Sequence, residues 1–301
     1  MTIQPLHNSP LPVLVFTDLD GTLLDHDTYE FAAALPTLKL LQSLNIPLIP
    51  TTSKTVAEIL QINQRLNNQH PFIAENGCII GMPEAYFSDA GPATAASVFT
   101  AEFQPYTLLT LAPLYADVVG ILQSLRDDHG FRFQGFNDMT ACEIAKLTQL
   151  PLPKAELAKQ RLCSEPLLWL GDESGLAAFK RLLQQHQLQL VKGGRFWHVF
   201  GLTNKGLAMQ QLIDIYHRHE LTRRTVIALG DSPNDIDMLD KAEIAIVIKH
   251  KDGTQLDYGV NEHANGRLLV SGKPGPAGWN TALSAVLAQL QTNTVDGKRH
   301  V

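Results

Sequence analysis

"VFTDLDGTLLD", residues 15–25, decides how this chain is read. Val13–Phe16 is a short, β-branched, apolar run, as expected of a strand buried on both faces. It ends in Asp18 and Asp20, two positions apart, followed by Gly21 and Thr22. In an open parallel sheet, ligands bind beyond the carboxyl ends of the strands. Two acids at such an end are therefore candidate chemistry. An Asp-Gly pair is also an ordinary hairpin signal, so the weight of the stretch depends on what the other strand ends carry.

Three further places carry polar groups that can converge on it. "IPLIP" (46–50) reads as a strand and runs into Thr51-Thr52-Ser53, with a helix over 53–67 capped near Thr52 or Ser53. "PFIAENG" (71–77) reads as a third strand of the same sheet entering a turn, with "CII" returning as a hairpin. A helix over 205–219 begins at Lys205. The strand "TVIALG" (225–230) leads into "GDSPND" (230–235) and a helix near 234–241, and "IAIVI" (244–248) is a further strand. A helical pattern over 30–44 breaks near Pro36, and a helix near 278–291 closes the chain. Strands alternating with helices in this way predict an α/β fold with a Rossmann-like parallel sheet and right-handed crossovers.

After Tyr86 the texture becomes small, polar and irregular. A second alternation then follows: helices over 112–130, within 138–162 and near 174–187, with strands at 131–136, 165–171, 188–193 and 195–201. The simplest organisation is a discontinuous core, 1–86 plus 199–301, with a large α/β domain, 87–198, inserted in it. Residues 1–12 read as a loose arm and 292–301 as a frayed tail.

Asp18, Asp20, Asp231 and Asp235 cannot all be ionised side by side unaided, because like charges raise one another's pKa. A hard dication resolves the conflict. With no Cys or His cluster to favour zinc, oxygen donors point to Mg2+. The metal with Lys205 makes the site positive enough for a phosphate, which the hydroxyl and amide groups of Thr52 and Ser53 can also bind. Thr52 can equally be a plain helix cap. A carboxylate can attack phosphorus. Asp18, next to the strand, is the candidate nucleophile, and Asp20 the candidate acid and base. Gly21 lets the backbone approach the ligand closely.

Taken in order, Asp18-Leu19-Asp20-Gly21-Thr22-Leu23, Thr52, Lys205-Gly206 and Gly230-Asp231-Ser232-Pro233-Asn234-Asp235 resemble the four motifs of the haloacid dehalogenase (HAD) superfamily. The resemblance implies Asp18 as nucleophile, Asp20 as acid/base, and Thr52 and Lys205 on the phosphoryl group. Gly21, Thr22 and Ser53 would line the same site. It implies magnesium held by Asp18, the Asp20 carbonyl and Asp231, with Asp235 ligating directly, through water, or by orienting Lys205. The insert resembles the superfamily's large C2-type caps. More narrowly, "TTSKTVAEI", "PFIAENGCII", "GFNDMT", "AKQRLCSEP" and "GGRFWHVFG" resemble the mannosyl-3-phosphoglycerate phosphatase family, although Leu162-Cys163 departs from its pattern. That implies a phosphorylated glycoside carrying a carboxylate. Among the cap groups, Arg161 and Arg195 are the first candidates to bind it, because a guanidinium fork matches a carboxylate. Ser164, Lys192 and the core's Asn234 follow. The glucosyl ester, a sucrose-phosphate-like sugar phosphate, a phosphomannomutase-like phosphotransferase and a non-catalytic sugar-phosphate sensor are the alternatives.

Composition sets the outer bounds. The chain has 301 residues, 45% hydrophobic, with a formal net charge of −6 and no basic block, so nucleic acid is not the expected partner. No apolar run reaches membrane-spanning length and no signal peptide is evident. Three scattered cysteines fit a reducing compartment. The expectation is a cytoplasmic enzyme, a monomer or small homo-oligomer, acting on a small molecule.

Overall fold

The computed structural model describes residues 11–87, 97–98, 103–193, 195–220, 222–258 and 266–297. The expected arm up to residue 10, most of the irregular stretch after Phe87 and the tail from 298 lie outside them. In chain order the elements begin with β1 (Val13–Thr17), α1 (Leu35–Ser43), β2 (Leu48–Pro50), α2 (Val56–Leu66), β3 (Phe72–Ala74), β4 (Ile79–Pro83), β5 (Ser97–Val98) and β6 (Tyr106–Thr110). There follow α3 (Tyr115–His129), β7 (Phe133–Gly135), α4 (Ala141–Thr148), α5 (Leu152–Lys159), β8 (Glu165–Trp169), α6 (Glu173–Gln185), β9 (Leu188–Lys192) and β10 (Trp197–Gly201). The last are α7 (Lys205–His219), β11 (Thr225–Gly230), α8 (Ile236–Lys241), β12 (Ile244–Lys249), β13 (Arg267–Pro274) and α9 (Gly275–Gly297).

Five strands form the parallel sheet, in the order β13-β12-β11-β1-β2. β1 lies inside the sheet, between β11 and β2, and is buried throughout. Its side chains alternate between two cores, as a period of two demands. Leu14 and Phe16 pack with α7 and α8 on one face, and Val13 and Val15 with α1 and α9 on the other. The register aligns the carboxyl ends: Thr17 lies opposite Leu229 of β11 and Pro50 of β2. Asp18, Asp231 and Thr51-Thr52 therefore emerge along one edge. Trp279, fully buried on α9, donates its indole N–H to the Thr17 hydroxyl at 3.0 Å and pins the end of β1 from behind.

Several local expectations change. The segment 71–77 was expected to supply a third parallel strand. β3 does run parallel to the neighbouring chain, bridging Thr51 through Ile73, and returns through β4 in the expected hairpin, but it belongs to a separate antiparallel sheet, β3-β4-β6-β5. Pro36 stands in the first turn of α1, where its missing N–H costs nothing, rather than breaking a helix. The cap of α2 is Thr55, whose hydroxyl accepts the Glu58 N–H while Glu58 accepts the Thr55 N–H. Thr52 and Ser53 lie in the turn before it. β13 and β6 carry no strand expectation from the sequence.

A second antiparallel sheet, β7-β8-β10-β9, lies under α3 and α6 and has its own core, including Leu122, Phe179, Leu167 and Val199. A smaller cluster joins α4 and α5. The chain is thus an α/β protein with a parallel-sheet core and an inserted α/β cap. Core and cap meet where Cys78, Phe72 and Ile59 pack with Cys163 and Phe200.

The turn Glu75-Asn76-Gly77 has three consecutive positive φ angles, +50°, +60° and +95°. A Cβ on Gly77 would collide with the Asn204 carbonyl, immediately before α7. Gly77→Ala should therefore lower the free energy of unfolding by about 3 kcal/mol, read by urea titration. Wild-type stability in this variant would show that the turn does not set the position of α7.

Candidate active site

The start of α7 carries the central charge of the site. Asn204 caps this helix through its side chain, which accepts the Leu207 N–H at 2.7 Å. That fixes Lys205 in the first turn, a position the helix dipole disfavours for a cation. Its ammonium is fully buried and donates to Asp18 Oδ1 and to Asp235 Oδ1, each at 2.6 Å. Burial works against the charged amine, but Asp18 and Asp235 outweigh it and hold the Lys205 pKa above its ordinary value.

Asp235 is also completely buried. Its other oxygen accepts the N–H groups of Asp231 and Ser232, both at 3.0 Å, which locks the turn after β11. Asp231 points into the same space. Thr22 donates its hydroxyl to Asp231 Oδ1 at 2.9 Å, and His250 lies 3.6 Å from Oδ2. Gly21 adopts φ +81°, and a Cβ there would come within 2.6 Å of Asp231 Oδ2. The glycine is what allows the loop after β1 to close on this carboxylate.

One oxygen from each of Asp18, Asp231 and Asp235 lies within 4.8 Å of the others. Burial pushes the Asp18 carboxyl well above the usual range; Lys205 pulls it down and Asp235 and Asp231 push it further up. Burial and Asp235 raise Asp231 to about 6, opposed by Thr22, His250 and Lys205. Three hard carboxylates facing one ammonium form a donor set suited to a divalent cation.

Asp20 is not in this group. Its carboxylate turns to Lys54, 2.7 Å from Oδ2, while Oδ1 is buried without a partner. Burial opposes the charge on Lys54, but Asp20 and Glu58 outweigh it and raise its pKa. Thr52 is buried at the edge of the site, its hydroxyl accepting the Lys54 N–H at 3.3 Å. Asn234 donates to Asn76 at 3.1 Å.

The cap candidates divide. Arg161 is brought to the core: its guanidinium donates to Ser53 O and Ala158 O, each at 2.9 Å, and more weakly to Ser164 at 3.4 Å. Ser164 donates to Glu75 Oε2 at 2.6 Å. Arg195 is exposed and donates to Leu147 O at 2.6 Å. Lys192 is exposed over the Trp197 ring. Arg161 and Ser164 thus serve the seam between cap and core, while Lys192 is remote from it.

Glu75, Lys54 and His250 are residues the sequence reading did not single out. Glu75 is wholly buried and also accepts the N–H groups of Leu162 and Cys163, at 2.8 and 3.1 Å. Its only sequence signal was its place in "ENG", read as a turn. Lys54 lies in the quoted "TTSKT", where spacing alone marks the hydroxyls.

A family model described as haloacid dehalogenase-like hydrolase matches residues 15–99 and 192–254, the two stretches that carry the acidic group and Lys205. A glucosyl-3-phosphoglycerate/mannosyl-3-phosphoglycerate phosphatase of Methanococcoides burtonii is 38% identical over 280 residues, 92% of this chain and 97% of that one. The chain belongs to the haloacid dehalogenase-like hydrolases. A Persephonella marina protein with the same phosphatase name is 33% identical over 281 residues, 93% of this chain and 98% of its own length. Among solved structures, a haloalkanoate-superfamily phosphatase from Bacteroides thetaiotaomicron has a TM-score of 0.59 at 17% identity, covering 97% of this chain and 98% of that one. A HAD subclass IIB sugar phosphatase has a TM-score of 0.57 at 15% identity, covering 91% and 98%. These two likenesses concern the fold, and they span core and cap together. As a HAD-family enzyme the chain is a phosphoric monoester hydrolase. Among the described residues no helix is long and apolar enough to cross a membrane.

The electrostatics give a direct test on the metal-free protein. Lys205→Met removes the counter-charge shared by two buried carboxylates and should cost about 3–5 kcal/mol at pH 8. The cost should be smaller at pH 5. Carboxyls whose folded pKa is raised bind protons in the native state first, so their destabilising charge is relieved as pH falls. Urea unfolding at the two pH values checks this; a penalty that grows toward pH 5 would contradict it.

Proposed function

We propose that this chain is a Mg2+-dependent phosphatase that hydrolyses mannosyl-3-phosphoglycerate to mannosylglycerate and phosphate, accepting the glucosyl ester as well. The observation that carries the reading is the buried Asp18–Lys205–Asp235 bridge with Asp231 beside it, at the carboxyl edge of the parallel sheet. The substrate rests on the relatives whose printed name covers both glucosyl and mannosyl esters, and whose match runs through the cap.

In this reading Lys205 holds Asp18 rigid and neutralises part of the incoming phosphate's charge. Thr52 and Ser53 bind the phosphoryl oxygens beside it. Asp18, Asp231 and Asp235, with the Asp20 carbonyl, would hold magnesium, which when bound screens the phosphoryl oxygens from the carboxylates. A carboxylate oxygen of Asp18 attacks phosphorus, forming an aspartyl phosphate as the ester P–O bond breaks. Asp20 gives its proton to the departing alkoxide. It then takes a proton from water, whose oxygen attacks the aspartyl phosphate; phosphate leaves and Asp18 is regenerated. Residues 87–198 act as the cap that closes over the substrate and excludes bulk water. Cys78 and Cys163, buried as free thiols, suit a cytoplasmic setting.

Asp18→Asn should lower kcat by roughly a thousand-fold or more, and Asp20→Asn should also cut it sharply, with Mg2+ affinity largely kept in the latter. Inorganic phosphate release over a panel of glycosyl phosphoglycerates and sugar phosphates measures both. Release without isomerised sugar phosphate excludes a mutase. Full activity in chelator, or turnover retained by Asp18→Asn, would refute the reading.

A further inference from the structure

A cleft of about 470 Å3, counting its open mouth, lies between α2 of the core and α5 of the cap. Tyr29, Lys54, Glu58, Arg65, Lys154 and Leu157 line it. It shares a wall with the acid/base candidate, because Lys54 lines the cleft and also holds Asp20 at 2.7 Å. An alcohol that takes its proton from Asp20 must stand beside that carboxylate, and Lys54 is the residue the carboxylate and the cleft share.

One cation of its lining is left to meet an anion. Three cations line it against one carboxylate, and that carboxylate, Glu58, is engaged by the Thr55 N–H and hydroxyl and by Lys54. Arg65 is paired with Glu30 at 3.2 Å. Lys154 has no carboxylate partner among the described residues; its ammonium lies over the Tyr29 ring, 5.2 Å from the centroid, with the Lys54 ammonium 4.9 Å from the same centroid. Asp20 and Glu58 already neutralise Lys54, so it is the Lys154 charge that an incoming anion would meet. Lys154 also stands in the first turn of α5, the wrong end of the helix dipole for a cation, so helix stability does not explain it. Tyr29 has φ +57°, a backbone state that bulky residues rarely adopt. It directs a half-buried phenol toward the cations, within electrostatic reach of Asp20, Lys54 and Arg195.

We propose that this cleft is the leaving-group subsite, and that Lys154 with the Tyr29 hydroxyl binds a carboxylate on the departing alcohol. This rests on the phosphatase reading above and names the residues that select an acidic leaving group. Lys154 comes from the cap and Tyr29 from the core, so the carboxylate ties the two together while the phosphate is held at the far end of the substrate.

The test compares full-length wild type, Lys154→Met, Lys154→Arg and Tyr29→Phe on mannosyl-3-phosphoglycerate and on its analogue with the carboxylate reduced to an alcohol. Lys154→Met should lose kcat/KM on the carboxylated ester at least tenfold more than on the analogue, mainly through KM. Lys154→Arg should recover most of that difference, and Tyr29→Phe should show a smaller one of the same sign. Equal losses on both substrates would overturn the proposal. Should wild type hydrolyse neither ester, the substrate reading fails on its own. The subsite is then read by D-glycerate inhibition of p-nitrophenyl phosphate hydrolysis. An inhibition constant at least tenfold weaker in Lys154→Met upholds it, and an unchanged constant or no inhibition of wild type sinks it.

Discussion

The Lys205 ammonium, shared by Asp18 and Asp235, is the interaction on which the arrangement depends. Taking an ammonium and carboxylates out of water costs several kcal/mol per ion, and only close pairing with further hydrogen bonds offsets this. Every element around the site supplies part of that offset. β1 delivers Asp18 from a fully buried strand, α7 delivers Lys205 behind its Asn204 cap, and the turn after β11 wraps two backbone N–H groups around Asp235. Asp231 completes a group with three carboxylates and one ammonium. When all are ionised, the excess is two negative charges, which is the charge of one dication. The same imbalance explains why burial and mutual repulsion raise Asp18 and Asp231 while Lys205 stays firmly protonated.

A second constraint couples the site to the cap. Glu75 sits in left-handed backbone, buried, and accepts three hydrogen bonds from Leu162, Cys163 and Ser164. Arg161, next in sequence, reaches back to the Ser53 carbonyl. The turn after β3 thus grips the cap loop, and the cap loop grips the turn after β2. Gly77, two residues on from Glu75, packs against the Asn204 carbonyl at the start of α7. A strained turn of three residues therefore touches the cap on one side and the anchor of Lys205 on the other. Strain of this kind persists only where surrounding contacts over-determine it.

The parts legible in the sequence are those fixed by local pattern. Val13–Thr17 and Thr225–Gly230 are apolar runs that only a doubly covered strand explains, and the acids follow each run directly. From α3 onward the cap elements were legible as a second alternation of strands and helices, whereas β6 before them was not. β13 was not, because it is mostly exposed at the sheet edge and is interrupted by glycine and proline. The sheet that β3 joins was not either: a three-residue strand has the same composition whether it joins a parallel or an antiparallel sheet. Thr52 and Thr55 are both hydroxyl residues near a helix start, and only the Glu58 partner distinguishes the cap from the site. Arg161 and Arg195 show the limit of residue type as a guide. The guanidinium fork expected to take a carboxylate is, in Arg161, occupied by backbone carbonyls.

Lys54 shows why pairings across the chain escape sequence reading and yet control chemistry. On the sequence it is one lysine in a polar turn. In the fold it lies between Asp20 and Glu58 and lines the cleft between α2 and α5. The proposed role of Asp20, to give up and regain a proton, asks for an oxygen that is not already paired. Asp20 has one oxygen fixed to Lys54 and the other buried without a partner. An unpaired buried oxygen of that kind costs on the order of 1–3 kcal/mol. In the reaction proposed above, the hydroxyl of the released alcohol would donate to that oxygen and remove the cost. On that proposal the penalty carried by the resting protein is lifted in the product complex, at the carboxyl proposed to have given the proton.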